Sequence, residues 1–499
     1  MPNPPTREDP AAAGASELIG GPFGRHALGP SSRWWTPLRV ALGITILVCL
    51  AGYLQKSQCL THPYTDDYQY TRLCYTDTYV LYTAEGLNAR TDNAGNVTGS
   101  VGVPYRDHPV EYPPIIGGLM WFAAEVTSVV HGGGADPSGS RATTFFNVTA
   151  LGLAALALVS TFTIAQLAGR ARQWDAVLVA ASPVLFMHAF TNWDLAAVAL
   201  TGLGLWAWSR GSPTWAGLAL GLGIATKLYP LLVLIALLML CVRAKKWRAG
   251  AKAIGGAVAA VVVAYIPAIV LSYQTPSAVY HSRFLFPQGC ATAEPLRGWR
   301  WFLSLSQTRG GDWGSVWLVL RNVFSGDAFG RALGPGAHCG SAPFDLNVAS
   351  ALAVAFVVVA VAILVAAAPW RPRVGQIAFL LVAGFVMLNK IDSPQYALWL
   401  VPLAVLARPR WFSLLMWQVT EVVLGAANLY TLIAQAHSNQ GLSMNAYLGV
   451  VVFRDLVLAG LMALVVREVL NPRHDIVRND GVDDPAGGLL VTPLGTIEA

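Results

Sequence analysis

The chain has 499 residues, 55% of them hydrophobic and only 12% charged, about half the charged share of an ordinary soluble domain. That excludes a soluble enzyme and a disordered chain. Lys and Arg number 33 against 27 Asp and Glu, a net charge of +6, and the placement of the basic residues says more than their sum, because in membrane proteins they set orientation. Six cysteines are too few for a disulfide-built scaffold, and none stands at zinc-site spacing, so no metal and no cofactor is expected.

Residues 1–35, rich in Pro, Gly and Ala, cannot bury a core and are expected as a disordered cytoplasmic tail. Apolar runs of membrane-span character follow in order: Leu38–Leu54, Ile115–Val130, Thr144–Ala168, Ala176–Phe190, Leu195–Trp208, Trp215–Val242, Ala253–Tyr273, Val348–Ala368, Ile377–Leu388, Tyr396–Leu406, Phe412–Ile433 and Tyr447–Val466. They show no strand-like alternation, which argues against a β-barrel. The first has no small-residue cleavage site after it and reads as a retained anchor. The expected fold is an all-α polytopic membrane protein over residues 36–470, a bundle of about 11–13 transmembrane helices, with residues 471–499 as a second disordered cytoplasmic tail.

Basic clusters at Arg243/Lys245/Lys246/Arg248/Lys252, Arg371/Arg373, Arg408/Arg410 and Arg467/Arg473 belong on the cytoplasmic side by the positive-inside rule. Two long segments, 55–112 and 274–346, then become outer loops. If Ile115–Val130 crosses fully, Arg170 and Arg172 fall outside and break the rule. If it dips or lies at the interface, and Trp215–Val242 breaks at Lys227–Pro230, those arginines return to the cytoplasm and Asn192, Asp194 and Lys227 face outward; this threading is preferred. Cys59 and Cys74 share the first loop, Cys290 and Cys339 the second. An oxidising exterior permits the disulfides Cys59–Cys74 and Cys290–Cys339.

Chemistry concentrates in these loops. The first carries Asp66, Asp67 and Asp77 among tyrosines, then Asp107, His108 and Glu111; the second carries His281, Arg283, Arg297, Arg300, Arg309 and Asp312. Carboxylates in one loop and arginines in another suit a reaction that takes a proton from one substrate and holds an anionic leaving group on another. Any one of these aspartates could instead be merely solvated. Asp77 stands out because TYVLYTAEGLNA follows it, a short amphipathic segment suited to the membrane surface.

The Asp77–Gly86 segment, EYPP at Glu111–Pro114, NWD at Asn192–Asp194, TKLYP at Thr226–Pro230, RGGDWGSVW at Arg309–Trp317 and NKIDSPQYALWLVP at Asn389–Pro402 together resemble glycosyltransferase family 87 of the GT-C superfamily, in its actinobacterial form. The likeness covers about residues 38–466. It implies a GT-C-like bundle whose outer loops bear short interfacial helices, in the cell membrane, with its active site on the extracytoplasmic face. The implied activity moves a sugar, mannose in preference to arabinofuranose, from a polyprenyl-monophosphate donor to a glycolipid or polysaccharide of the cell envelope, with inversion. The implied partners are the lipid-linked donor, the lipid or glycan acceptor and membrane lipids, with no nucleic acid.

The resemblance makes Asp77 the catalytic base; Asp66 and Asp67 have no clear family counterpart and stand only as second choices, and they join His108, Glu111, Tyr112, Asn192, Asp194, Lys227, Tyr229, Arg309, Asp312, Lys390, Gln395 and Tyr396 as the expected substrate-binding residues. Physical alternatives stay open for several. Lys227 facing lipid would cost about 2.5–3.5 kcal/mol, which a phosphate or snorkelling to the interface would relieve. Asn192 and Asp194 could cap a helix, Arg309 and Asp312 could form a surface pair, and Lys390, Gln395 and Tyr396 could serve turn chemistry. The functional alternatives are a flippase or transporter of lipid-linked sugars and a non-catalytic assembly partner.

Overall fold

The computed structural model describes residues 35–491 except 63, 65, 92–96, 132–138, 279–280, 283–289, 292–294, 325–343, 438–439 and 480–482. Its regular structure is helical apart from two short antiparallel ribbons, Ala89–Thr91 with Val97–Val101 and His281–Ser282 with Cys290–Ala291. Among the described residues seven helices are long and apolar enough to cross a membrane: Pro37–Thr61, Pro114–His131, Ser140–Leu167, Trp247–Ser272, Leu346–Ala367, Trp411–Ala436 and Met444–Leu470. At 1.5 Å per residue they measure about 27–42 Å against a hydrocarbon core of about 30 Å. Four shorter apolar helices, Pro213–Ile224, Pro230–Arg243, Val374–Leu388 and Pro394–Ala407, have 10–17 residues. The 11–13 expected spans therefore resolve into seven long and four shorter apolar helices among the described residues.

Proline causes much of the shortening. Pro213 and Pro230 each open a helix, where a missing N–H is harmless, and between them Ala225–Tyr229 is unwound, so the Trp215–Val242 run breaks where Lys227–Pro230 marked it. The expected Ala176–Phe190 span is corrected to two short helices, Val177–Ala180 and Pro183–His188. Ser182 holds that break, accepting from Leu185 N at 3.1 Å and donating to Gln418 Oε1 at 2.6 Å. The half-helix Pro213–Ile224 is held close to Trp247–Ser272: a Cβ on Gly217 would stand 2.0 Å from Ala253 O, and one on Gly221 2.4 Å from Ala257 O. This is the small-residue packing by which helices associate in lipid.

Contacts at the two ends of the bundle settle the threading. At one end Asp77 N donates to Thr191 O and Ile115 N to Ala225 O. At the other, Arg172, Arg373 and Asp484 line one small cavity, Arg408 lies 3.1 Å from Glu468, and Arg243 donates to the carbonyls of Ala366 and Ala368. Arg172 thus shares an end with the late basic clusters, and Asn192, Asp194 and Lys227 take the opposite one. The helix Pro114–His131 begins beside Ala225 and ends with His131 Nε2 2.7 Å from Thr144 Oγ1. Gly139, just beyond, lies against the Tyr79 hydroxyl, so both ends of this helix stay at the Asp77 end.

Cys59 and Cys74 form a disulfide with Cα atoms 5.7 Å apart. The expected Cys290–Cys339 pair involves Cys339, which lies outside the described residues. Past Asn471 the expectation of a disordered tail is corrected. Residues 471–479 and 483–491 pack onto the basic end, with Asp475 accepting from Arg373 Nε at 2.7 Å and Nη2 at 2.9 Å, Asp484 accepting from Val374 N at 2.9 Å, and Gly487 O accepting from Trp208 Nε1 at 3.0 Å. Polar composition concealed this because the aspartates complement buried arginine rather than water. The Arg373 and Asp475 side chains are 3% and 0% exposed, so Asp475→Ala, which strands a buried guanidinium, should destabilise the fold by about 3–5 kcal/mol. A thermal-unfolding scan of the purified variant in detergent checks this; an unchanged midpoint would contradict it.

Candidate active site

Asp77 owes its position to the turn before it. Thr76 caps the Asp77–Ala84 helix, its hydroxyl accepting from Thr78 N at 3.2 Å and donating to Phe190 O at 2.6 Å. The Asp77 amide donates to Thr191 O at 2.9 Å. These bonds stitch the first loop to the segment that enters the Asp194–Ser209 helix, and bring Asn192 against the carboxylate.

Tyr75 OH donates to Asp77 Oδ1 at 2.9 Å, and Asn192 Nδ2 donates to Oδ2 at 2.7 Å and to Tyr112 OH at 2.8 Å. The other end of the same amide, Oδ1, accepts from Trp193 N at 2.7 Å and from Lys227 Nζ at 3.4 Å. Lys227 lies 3.5 Å from Asp194 Oδ1 and over the rings of Tyr112 and Tyr396, 4.9 and 5.9 Å from their centroids. Asp194 accepts from Trp399 Nε1 at 2.8 Å, and the Trp399 ring stacks on Tyr229 and Tyr396 at 4.7 and 3.8 Å. Burial raises the Asp77 carboxyl above the ordinary range; the bonds from Asn192 and Tyr75 and the charge of Lys227 offset this in part, while Asp194 adds to it. A carboxylate has about four lone-pair sites, so these two bonds leave Asp77 able to accept a proton.

A second cluster adjoins the first through Tyr112 and Tyr396, both within electrostatic reach of Arg309, as is Glu111. Arg309 pairs with Asp312 at 2.9 Å. Lys390 donates to Gln307 O at 3.2 Å and Arg309 O at 2.6 Å, and among the described residues no carboxylate lies at ion-pair distance from it. Burial, followed by the charge of Arg309, pulls the Lys390 ammonium down to about 8. The segment 309–314 and the turn 389–392 are joined backbone to backbone, Asp312 N to Lys390 O at 2.8 Å and Gly314 N to Asp392 O at 3.2 Å. Gly314 is needed there, since a Cβ would stand 2.6 Å from Asp392 Oδ2. Arg454 braces the junction, donating to Gly314 O at 2.7 Å and Asp392 Oδ2 at 2.6 Å while lying 3.5 Å from Glu421 and 3.0 Å from Asp455. The charges inside the late spans thus hold the loops.

Asp77, Tyr112, Asn192, Asp194, Lys227, Tyr229, Arg309, Asp312, Lys390 and Tyr396 are therefore brought into one region. Gln395, 8% exposed, is the middle residue of the short helical turn Pro394–Tyr396. Glu111 joins through its backbone, its amide donating to the buried Glu85 Oε1 at 3.2 Å. His108 lies against Gly86 and Gly102, its ring nitrogens near the carbonyls of Gly102 and Pro109. Asp66 and Asp67 are not brought in. Both occupy left-handed backbone positions, φ 53° and 56°, Asp67 lies 2.8 Å from His437 Nε2, and no hydrogen bond joins either to Asp77 among the described residues. Sequence reasoning missed Tyr75, Trp399 and Lys56. Only Lys56 carried a signal, as a basic residue at the wrong end of a span for the positive-inside rule.

The family model described as Glycosyltransferase family 87 matches residues 112–389, more than half of the chain. No curated protein matches it.

Because burial disfavours the ionised form of Asp77, this group should titrate above an ordinary aspartate. Tyr75→Phe removes a bond to the ionised form worth about 1.5–3 kcal/mol, which should raise its pKa by about 1–2 further units. Infrared titration of the carboxyl band that Asp77→Asn abolishes checks this; a band moving to lower pH would contradict it.

Proposed function

The chain belongs to glycosyltransferase family 87, and from that premise we propose that it moves a sugar, mannose in preference to arabinofuranose, from a polyprenyl-monophosphate donor to a glycolipid or polysaccharide of the cell envelope. By the positive-inside rule the end rich in arginine is cytoplasmic, so the Asp77 end faces outward. The observation that carries the reading is the Asn192 amide, which donates to Asp77 at 2.7 Å and accepts from Lys227 at 3.4 Å. It sets a base and a cation side by side without letting them neutralise one another in direct contact.

In this reading an acceptor hydroxyl gives its proton to Asp77 as its oxygen bonds to the anomeric carbon. The bond from that carbon to the phosphate oxygen breaks on the opposite face, and its electron pair leaves with the polyprenyl phosphate. Inversion follows, so a β-linked mannosyl donor yields an α-glycoside. Lys227, Arg309 and Lys390 meet the charge that develops on the leaving phosphate, and cations that bind it more tightly in the transition state lower the barrier. Tyr112, Tyr229 and Tyr396 with Trp399 form the aromatic wall, while Asp194 and Asp312 hold the cations in place.

Asp77→Asn should bind donor normally and lose turnover by about 10²–10⁴-fold, and Lys227→Met should weaken donor binding, with turnover in a chelator left intact. Radiolabelled transfer from polyprenyl-phosphate mannose and its arabinose analogue to membrane acceptors measures all three. Full turnover by the Asn variant, or its loss in a chelator, would contradict the mechanism; consumption of neither donor would overturn the function. In the free protein Lys390 loses its positive charge as pH rises through about 8. The donor kcat/KM should therefore fall on that alkaline limb, and Lys390→Arg should move the limb upward. An unmoved limb would remove Lys390 from the donor site.

A further inference from the structure

Three side chains at the end of the Pro37–Thr61 helix grip the four residues that precede Thr76. Gln55 donates to Arg72 O at 3.2 Å, Lys56 donates to Leu73 O at 3.3 Å and to Tyr75 O at 2.9 Å, and Cys59 is bonded to Cys74. Of these, Lys56 is the costly one. It is 2% exposed, and among the described residues its hydrogen-bond partners are neutral carbonyls, which repay only in part the loss of hydration that burying an ion entails. A glutamine could bond carbonyls without a charge. The ammonium and the Asp77 carboxylate attract one another, and the ammonium also acts electrostatically on the buried His188.

Asp77 is faced by Tyr75, with Tyr64 beyond it, from its own loop; by Asn192 and Asp194 from the next segment; by Lys227 and Tyr112; and by Lys56 from the first helix. Lys227 is committed in part to Asp194, 3.5 Å away, and under the proposed function it also serves the leaving phosphate. Lys56 has no such second duty. We propose that Lys56 is a positioning residue for Asp77: it fixes the Leu73–Tyr75 backbone so that the Tyr75 hydroxyl meets the carboxylate, and its charge favours the ionised form of that buried group. This rests on Asp77 being the base.

The test compares Lys56→Gln, which keeps a donor and drops the charge, with Lys56→Arg and Asp77→Asn in the full-length protein, recording kcat and donor KM across pH. Lys56→Gln should lower kcat at neutral pH by about tenfold and move the acid limb of the profile up by about one unit, with donor KM unchanged within about twofold. Lys56→Arg should keep the limb near its original place. A purely structural lysine would lower the yield of folded protein and leave the limb unmoved, and an unmoved limb in Lys56→Gln overturns the proposal. If Asp77→Asn is inactive in that case, only the role of Lys56 falls; if Asp77→Asn keeps its turnover, the assignment of the base falls.

Discussion

The Asn192 side-chain amide joins the carboxylate of Asp77 to the ammonium of Lys227. An amide suits that place because it donates at one end and accepts at the other, so it orders a negative and a positive group without becoming charged itself. Direct contact would tie up the carboxylate and the cation together. Held apart, each keeps capacity for a substrate, and the proposed chemistry needs both.

The rest of the architecture brings three chain segments to that amide. The unwound stretch between Pro213–Ile224 and Pro230–Arg243 delivers Lys227. Such breaks in lipid are tolerated where they line protein or a cavity, and here glycine-to-backbone packing against Trp247–Ser272 supports the first half-helix. Thr76 and Thr191 tie the first loop to the segment holding Asn192. Arg454, 2% exposed, fixes the junction that carries Arg309 and Lys390, and its three carboxylate neighbours hold a guanidinium that would otherwise be too costly to bury.

Much of the fold was legible. Apolar runs, the basic clusters and the proline inside Trp215–Val242 marked most of the spans, which segments share an end of the bundle, and the break at Lys227. The misreadings share a cause: composition records how polar a segment is and not what it meets. Asp475 and Asp484 read as tail because buried arginines on distant helices answer them. Asp66 and Asp67 resembled Asp77 in composition, yet their backbone turns away, and Asp67 faces His437. Tyr75 and Trp399 left no mark, since one tyrosine among many, or one tryptophan in an apolar helix, becomes informative only when its partner is known. The motifs placed Asn192 and Lys227 in the site, but the amide's contacts on both ends depend on segments far apart in sequence.

The most direct test is a structure of the protein bound to a non-transferable phosphonate analogue of polyprenyl-phosphate mannose. The account predicts the phosphonate among Lys227, Arg309 and Lys390, with the anomeric carbon presenting its opposite face toward Asp77. A phosphonate held elsewhere, or an anomeric carbon whose open face points away from Asp77, would contradict it.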